Sequence, residues 1–400
     1  MRSIVIIPSF NELENISRVI EKVLIVADAA DEHELSILVV DDSSPDGTAE
    51  RVRTIMKKEQ RVQLLLNKQK AGLGAAYLKG MEHAFNELNA DVVFEFDADL
   101  SHDAEKIPLF LAKIREGYDM VLGSRYRKGG SIPSDWGVHR KLLSVLGNLF
   151  ITLVLTNFSI RDWTTGYRAI TKKVYESVAP EMKGKRFSGY TFQIGFLHKA
   201  VQKGFSVAEV PFHFVDREHG HSKLGAEYIK NTLMYILRER FLEVSQWRVF
   251  KFAVVGFIGF SVNAVMLIFV FGRMPWVGAI ATWLRGYIDY EFINIAFVGQ
   301  ILAAECAIIS NFVFNNIYTF TERKMSSPVQ ILWKFPQFNL SSLGTVFIGS
   351  WIVGFGTSIT GITPLSKLVW LVFATAVGMV LNFLVYSKLI WRKKKNTAKS

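Results

Sequence analysis

Apolar positions follow two regimes along this chain. Up to about Gln246 they come in short runs separated by charged segments; beyond Trp247 they merge into long stretches. In the first regime the runs 3–7, 35–40, 62–66, 92–96 and 120–124 each read as a strand. Between them, 13 to about 26, 48–59 and about 72–86 carry the spacing of helices. Strands this apolar cannot sit half exposed, so the alternation predicts a parallel sheet covered by helices on both faces.

Four apolar stretches follow, at roughly 250–271, 292–320, 338–359 and 368–390, each reaching the roughly 20 residues that a transmembrane helix needs. Arg248 and Lys251 stand before or at the start of the first, Arg323, Lys324 and Lys334 between the second and third, and Arg392 to Lys395 after the last. The opposite ends carry only Arg273, Arg285 and Lys367. The positive-inside rule then places both termini, and the first regime with them, in the cytoplasm. The stretches also resemble one another. Lys251-Phe252 opens the first and Lys334-Phe335 precedes the third. Asn311-Phe312 in the second matches Asn382-Phe383 in the fourth, each ahead of an aromatic-rich end (Tyr318 and Phe320; Tyr386 and Trp391). A duplicated hairpin gives that pattern, and so does the chance likeness of apolar helices.

Between the regimes, residues 225–247 are amphipathic, with Ile229, Leu233, Ile236, Phe241 and Val244 near one face and Lys230, Arg238 and Arg240 largely elsewhere. Their place beside the first span predicts a helix lying along the membrane surface. The run 142–155 is too short to span and reads as core or as a membrane-facing helix. The expected divisions are 1–224, an interface helix at 225–248, four spans within 249–392 and a basic tail at 393–400.

Composition narrows the partners. With 47 Lys and Arg against 36 Asp and Glu, the formal charge is +11, which fits nucleic acid, anionic lipid or phosphate-bearing substrates. The basic residues crowd the ends of apolar spans, which favours lipid and phosphate over a nucleic acid polymer. The single cysteine, Cys306, lies inside a span, so neither an internal disulfide nor a cysteine-rich zinc site is available. The first apolar run is only a strand and not a signal peptide.

The candidate chemistry lies at strand ends. Asp97-Ala98-Asp99 closes the run 92–96, and carboxylates at the carboxyl end of a parallel strand point into the crevice where open α/β sheets bind ligands. One residue apart, they suit a shared divalent cation and, through it, a diphosphate; a solvated acidic turn is the plainer alternative. Pro8-Ser9-Phe10-Asn11-Glu12 ends the first strand, and Asp41-Asp42-Ser43-Ser44-Pro45-Asp46-Gly47-Thr48 follows the second. Carboxylates there can accept hydrogen bonds from ribose hydroxyls and a base N–H. The turn from Ser44, with Thr48 as helix N-cap, would aim them. No Gly-x-Gly-x-x-Gly follows the first strand, which excludes a dinucleotide-dependent dehydrogenase. No Gln-x-x-Arg-Trp occurs, which disfavours a processive polysaccharide synthase. His219 and His221 flank Gly220 in a loop, where exposure or a hinge outweighs a metal pair. Glu305 lies mid-span, where an ionisable group is either functional or bonded to a neighbouring helix.

Taken in this order, Pro-Ser-Phe-Asn-Glu, Asp-Asp-Ser-Ser-Pro-Asp-Gly-Thr and Asp-Ala-Asp resemble a family 2 glycosyltransferase of the GT-A fold, in the branch of dolichol- or polyprenyl-phosphate mannose synthases. Gly123-Ser124-Arg125-Tyr126, Asp162-Trp163-Thr164-Thr165-Gly166-Tyr167-Arg168, Val215-Asp216-Arg217 and Ser222-Lys223-Leu224 agree with it. The resemblance covers about residues 3–225, and the four spans resemble a GtrA-like membrane domain. It implies an α/β GT-A catalytic domain, Rossmann-like with a mostly parallel sheet, followed by an all-α domain of four transmembrane helices. Carried over residue by residue, it implies that Pro8, Phe10, Glu12, Asp41 and Asp42 hold the nucleoside. Asp97 and Asp99, on either side of Ala98, would bind Mg²⁺ or Mn²⁺ on the donor diphosphate, with Ser101 at the third position of that set. Arg217 and Lys223 would close over the diphosphate, and Arg125, Arg140 and Ser144 would hold the acceptor phosphate, so that Asp97, Asp99 and Arg125 form the catalytic set. Two departures stand out. Ser101 replaces the Gln of many of these enzymes, and Phe10 replaces the usual Tyr, which keeps stacking and loses a hydroxyl.

The implied reaction is inverting transfer of mannose from GDP-mannose to polyprenyl phosphate, giving a β-linked lipid at the cytoplasmic membrane face. A phosphate monoester has a second pKa near ~6, so the acceptor arrives mostly as a dianion and needs no general base. One rival is a polyprenyl-phosphate glucose synthase using UDP-glucose. The other is a lipid-linked-sugar translocator or scaffold with a vestigial soluble domain, against which the intact Asp97 and Asp99 argue.

Overall fold

All five expected strands form, and two more join them. The computed structural model describes residues 1–29, 34–68, 72–182, 190–216, 226–287, 294–361 and 363–392, and the chain divides into two units, Met1–Arg240 and Phe241–Ser400. In the first unit β1 (Arg2–Ser9), α1 (Ile16–Ala29), β2 (Glu34–Asp41), α2 (Thr48–Met56), β3 (Val62–Leu66), α3 (Leu73–Asn86) and β4 (Val92–Glu95) alternate as the hydrophobic pattern predicts. Then come α4 (Ile107–Arg115), β5 (Met120–Ser124), α5 (Val138–Leu155), β6 (Arg168–Thr171), α6 (Lys172–Val178), α7 (Tyr190–Gln202), β7 (Val207–Pro211) and α8 (Ala226–Ser245), whose last turn runs past the division at Arg240.

The sheet runs β3-β2-β1-β4-β6-β5-β7. It is parallel except at β6, which pairs antiparallel with both β4 and β5. The sheet is thus mostly parallel, as expected, and β6 is its one reversed strand among the described residues. The strand has four residues, one of them a buried arginine, so no apolar run announces it.

Alternation along the central strands makes two cores. Val5, Ile7, Ile37 and Val39 pack with Ile16, Val19, Ile20 and Val23 of α1 on one face. Ile4, Ile6, Leu38 and Val40 pack with Tyr77, Met81, Ala84 and Phe85 of α3 on the other. α3 lies unusually close to the sheet because Gly80 has no side chain: a Cβ there would come within 2.7 Å of Ile6 Cγ2. α8 belongs to this unit through Tyr235 and Ile236, both in the same core. Ile236 was expected on the membrane-facing side and is buried instead, while Ile229, Leu233, Leu237 and Phe241 remain exposed.

The second unit comprises α9 (Arg248–Val265), α10 (Pro275–Arg285), α11 (Ile295–Phe314), α12 (Pro328–Thr360) and α13 (Pro364–Val385). α9, α11 and α13 each run on into a π-helical turn, at Met266–Val270, Asn315–Thr319 and Tyr386–Ile390. Two expectations change. The short α10 was not foreseen, and α12 begins early enough to take Lys334 and Pro336 into the helix. Among the described residues, five helices are long and apolar enough to cross a membrane: four in this unit, and Val138–Leu155 in the first. The run 142–155, too short to span by itself, is thus part of an 18-residue helix. Mid-span, Glu305 accepts two hydrogen bonds from the Asn339 amide, at 2.7 and 2.9 Å, so this carboxyl does bond to a neighbouring helix.

Candidate active site

Three neighbouring strands, β2, β1 and β4, deliver their carboxyl ends to one edge of the sheet. That edge carries Pro8, Phe10 and Glu12, then Asp41 and Asp42, then Asp97, Ala98 and Asp99. A non-glycine residue in the left-handed region follows each strand, Asn11 (φ 61°), Ser43 (φ 57°) and Leu100 (φ 66°), a costly conformation that concentrates at functional turns. The first two loops are stitched together. The amides of Asn11, Glu12 and Leu13 donate to Ser44 Oγ, Thr48 Oγ1 and Asp46 Oδ2 at 3.0, 3.1 and 3.0 Å. Thr48 is therefore not the helix N-cap but the first residue of α2, after Gly47 (φ 92°). Its amide and hydroxyl both donate to Asp46 Oδ1, at 3.0 and 2.6 Å. Partial burial works against the charge on Asp46, and these bonds with that from Leu13 outweigh it, holding the carboxyl below its usual range.

The adjacent aspartates divide their work. Asp41 is fully buried; it accepts from the Ser9 and Ser44 hydroxyls at 2.9 and 2.6 Å and from the Ser44 amide at 2.9 Å. Asp42 accepts from Asn67 Nδ2 at 2.6 Å and the Gly72 amide at 3.1 Å, tying β2 to the start of α3.

Asp97 is held from two sides that the sequence did not reveal. The Tyr77 hydroxyl, on α3, donates to its Oδ1 at 2.9 Å. Its amide donates to His102 Nδ1 at 3.0 Å, which leaves the imidazole proton on Nε2, 3.6 Å from Asp97 Oδ2. Burial pushes the His102 pKa down, against the pull of Asp97 and Asp99, so the ring is neutral. Burial, reinforced by Asp97, raises the Tyr77 phenol well above its ordinary value and keeps it a donor. His102 stacks on Tyr167 (4.9 Å, 13°) with Phe96 and Phe212 at its edges.

Antiparallel β6 explains what faces Asp97. Because the strand runs backwards, the loop before it, Asp162 to Tyr167, arrives at the same sheet edge between β4 and β5. At one end of this loop a Cβ on Gly166 would lie 3.4 Å from Asp97 Oδ2, so bare backbone passes the carboxylate. At the other, Asp162 takes Nε and Nη2 of Arg125, each at 2.7 Å, and Thr164 Oγ1 takes Nη2 at 2.7 Å. Asp162 is fully buried and Arg125 nearly so, so this arginine is not ordinary surface charge. Beneath the loop, Arg168 is buried 3.7 Å from Glu95, its cross-strand partner. Burial raises the Glu95 carboxyl to about 7 against the opposing pull of Arg168.

Arg125, Arg140 and Ser144, the residues expected to hold the acceptor phosphate, come from the end of β5 and from α5. Ser144 Oγ lies 2.6 Å from the Tyr126 hydroxyl, next to Arg125. One turn earlier on α5, Arg140 bonds both oxygens of Asp216, at 2.6 and 3.3 Å, and lies over the Trp136 ring at 3.8 Å. Asn148 fastens α5 to the bridging loop, accepting from the Trp163 amide at 2.8 Å. Arg217, His219, His221 and Lys223 lie outside the described residues.

The acidic pair fits a hard divalent cation. Asp97 and Asp99 offer carboxylate oxygens one residue apart, and the Asp97 side chain is about a third exposed (32%) under a backbone that carries no side chain. The Ser101 amide donates to Asp99 Oδ1 at 3.1 Å, while its hydroxyl is buried without a hydrogen-bond partner among the described residues. Those residues contain no group of three His, Cys, Asp or Glu able to hold a metal alone.

Comparison with known proteins places this geometry. Residues 4–179 match the model of glycosyl transferase family 2, and residues 251–391 match that of the GtrA/DPMS transmembrane domain. The dolichol-phosphate mannosyltransferase of Pyrococcus furiosus is 33% identical over 387 residues, covering 96% of both chains. The polyprenol monophosphomannose synthase of Mycolicibacterium smegmatis is 36% identical over 62% of this chain and 86% of its own. The undecaprenyl-phosphate mannosyltransferase of Micrococcus luteus is 34% identical over 60% of this chain and 93% of its own. The two shorter alignments span about the length of the first unit, whereas the Pyrococcus alignment takes in both. With a mostly parallel GT-A-like sheet, a helical membrane domain and an end-to-end relative at this identity, the chain belongs to the dolichol- and polyprenol-phosphate mannosyltransferases of glycosyl transferase family 2.

Proposed function

We propose that this enzyme transfers mannose from GDP-mannose to polyprenyl phosphate with inversion at the anomeric carbon, and that it needs Mg²⁺ or Mn²⁺ on Asp97 and Asp99. The observation that carries the reading is the single sheet edge where three acidic strand ends meet Arg125 across the loop before β6. On the donor side, Phe10 stacks on the base, and Pro8, Glu12, Asp42 and Asp41 frame the nucleoside. Arg217 and Lys223 complete the diphosphate contacts. A cation on Asp97 and Asp99 would take its other ligands from the diphosphate and supply Lewis-acid stabilisation of the leaving group. Ser101 sits at the third position of that set.

On the acceptor side the protein has to bring one anion to another. Arg125 and Arg140 supply permanent positive charge. Asp162 and Asp216 orient the two guanidinium groups, and Ser144 adds a hydroxyl. The acceptor dianion attacks the anomeric carbon directly, so no side chain has to remove a proton, and an α-linked donor yields a β-linked product. α5 supports a membrane site: Leu142, Leu146, Leu149 and Leu153 form an apolar stripe, each about half exposed, while Asn148, Ile151 and Leu155 are buried on the opposite side. Such a helix lies in the interface and holds Arg140 and Ser144 at lipid-headgroup depth. The basic flanks of the spans favour a cytoplasmic site with both termini on that side.

The test offers labelled GDP-mannose, UDP-glucose and UDP-N-acetylglucosamine, with polyprenyl phosphate, to the detergent-purified enzyme with and without EDTA. Transfer from GDP-mannose alone, lost in EDTA, is expected. Undiminished turnover in excess EDTA removes the cation, and preference for UDP-glucose replaces the donor.

A further inference from the structure

Asp97 is anchored by two residues from outside the acidic motif. Tyr77 is fully buried on α3. Its hydroxyl reaches Asp97 Oδ1 because Gly80, one turn on, lets α3 settle onto Ile6 and Val40. Its ring lies parallel to Phe192, 6.4 Å away, which leaves the hydroxyl directed at the carboxylate. His102 holds the other side through the Asp97 amide at 3.0 Å, its own ring fixed by Tyr167, Phe96 and Phe212. At 3.6 Å the Nε2 approach to Oδ2 is too long for a hydrogen bond, so the backbone contact is what His102 contributes.

We propose that Tyr77 and His102 are positioning residues for cation binding. Tyr77 fixes the Asp97 carboxylate through one oxygen and His102 fixes its backbone, so that the cation and the donor diphosphate meet a ligand already oriented. Neither touches substrate or cation. Outer partners of metal ligands commonly set affinity by 10–100-fold. The inference rests on the reading of Asp97 and Asp99 as the cation pair.

The test uses the full-length enzyme in detergent and measures Mn²⁺ binding by electron paramagnetic resonance at saturating GDP, together with the thermal midpoint and the KM for polyprenyl phosphate. Tyr77→Phe keeps the ring and deletes only the hydroxyl. It should weaken Mn²⁺ binding about tenfold, with the lipid KM and thermal midpoint unchanged. His102→Asn, which places an acceptor oxygen where Nδ1 stands, should keep most of the affinity. His102→Gln, which reaches only the Nε2 position, should lose it as Tyr77→Phe does. Wild-type Mn²⁺ affinity in Tyr77→Phe overturns the role of Tyr77 while leaving the cation pair intact. A drop in lipid affinity or stability equal to the drop in Mn²⁺ binding makes Tyr77 structural and overturns it too. Better binding in the Gln than in the Asn variant overturns the role of His102. If the wild type binds no Mn²⁺ with GDP, the cation pair itself falls, and the positioning role with it.

Discussion

At the level of single residues, spacing made the charged chemistry legible and left its supports hidden. Asp97 and Asp99 declare themselves by lying one residue apart after a strand, and Asp99→Asn should nearly abolish transfer while leaving the fold intact. Wild-type turnover at low Mn²⁺ in that variant would remove Asp99 from the cation site. Tyr77 and His102 could not be read this way, since one comes from a helix 20 residues earlier and the other from an irregular turn. Arg125 is the instructive middle case. Its place after a strand end was readable; its bidentate pairing with a fully buried Asp162 was not. Arg125→Ala would strand that carboxylate, at a cost of about 3–5 kcal/mol, so loss of activity in this variant alone says little about acceptor binding. Arg125→Ala combined with Asp162→Ala should recover most of the thermal midpoint but not the use of lipid phosphate, as calorimetry beside an acceptor titration would register. A quieter effect concerns Glu181, which hydrogen bonds from Lys203 and Lys199 hold down at about 2, from 4.5. A carboxyl lowered on folding adds stability above pH 4.5 and loses it as the pH falls toward 2. Glu181→Gln should therefore lower the midpoint at pH 7, by about 1 kcal/mol or less for so exposed a pair, and the difference should shrink toward pH 3.

Elements were legible in proportion to how much apolar surface they bury. β1 to β5 are dense apolar runs and emerge directly from the pattern. β6 and β7 carry Arg168 and Glu209 in stretches of four and five residues, so their pairing depends on partners distant in sequence. The short β6 is also what sets the loop from Asp162 to Gly166 between Asp97 and Arg125, since only a reversed strand brings its leading loop to that edge. α5 posed the opposite problem: it is apolar enough to be core, yet half of its residues are exposed. The leucine stripe on its outer side is about half exposed and lies opposite Asn148, Ile151 and Leu155. Leu146→Glu with Leu149→Glu should leave GDP-mannose and Mn²⁺ binding unchanged while raising the KM for a long-chain polyprenyl phosphate several-fold, because each charge resists entry into the interface. Equal KM values for the variant and wild type in vesicles would place the stripe outside the membrane.

For the molecule as a whole, the likeness between the apolar stretches is matched by their contacts. Asn311 and Asn382 each precede a π-helical turn that starts four residues on, at Asn315 and Tyr386. Phe252 packs on Phe383 and Phe335 on Phe312, at 5.6 and 5.3 Å, so each hairpin reaches the same position of the other. Lys251 lies 5.5 Å from the Tyr318 ring, and Lys334 donates to the Leu389 carbonyl at 2.9 Å, again at matching positions. This unit has its own aromatic core of Phe252, Phe312, Phe320, Phe338, Tyr386 and Trp391, while the first has its two cores around the sheet. All the described site residues belong to the first unit. A cut at residue 224 would strip Tyr235 and Ile236 from its core, so the smallest autonomous enzyme should end after α8, at Ser245. We expect residues 1–245 to bind GDP-mannose and Mn²⁺ as the full chain does. Transfer to a membrane-borne acceptor should be slow, because the spans that hold the enzyme at the bilayer are gone. A short acceptor dispersed in detergent should recover part of the rate, since what was removed is proximity and not chemistry. If residues 1–245 bind nucleotide yet fail to transfer even to the dispersed acceptor, the membrane unit must supply part of the acceptor site, and the division of labour at α8 is wrong.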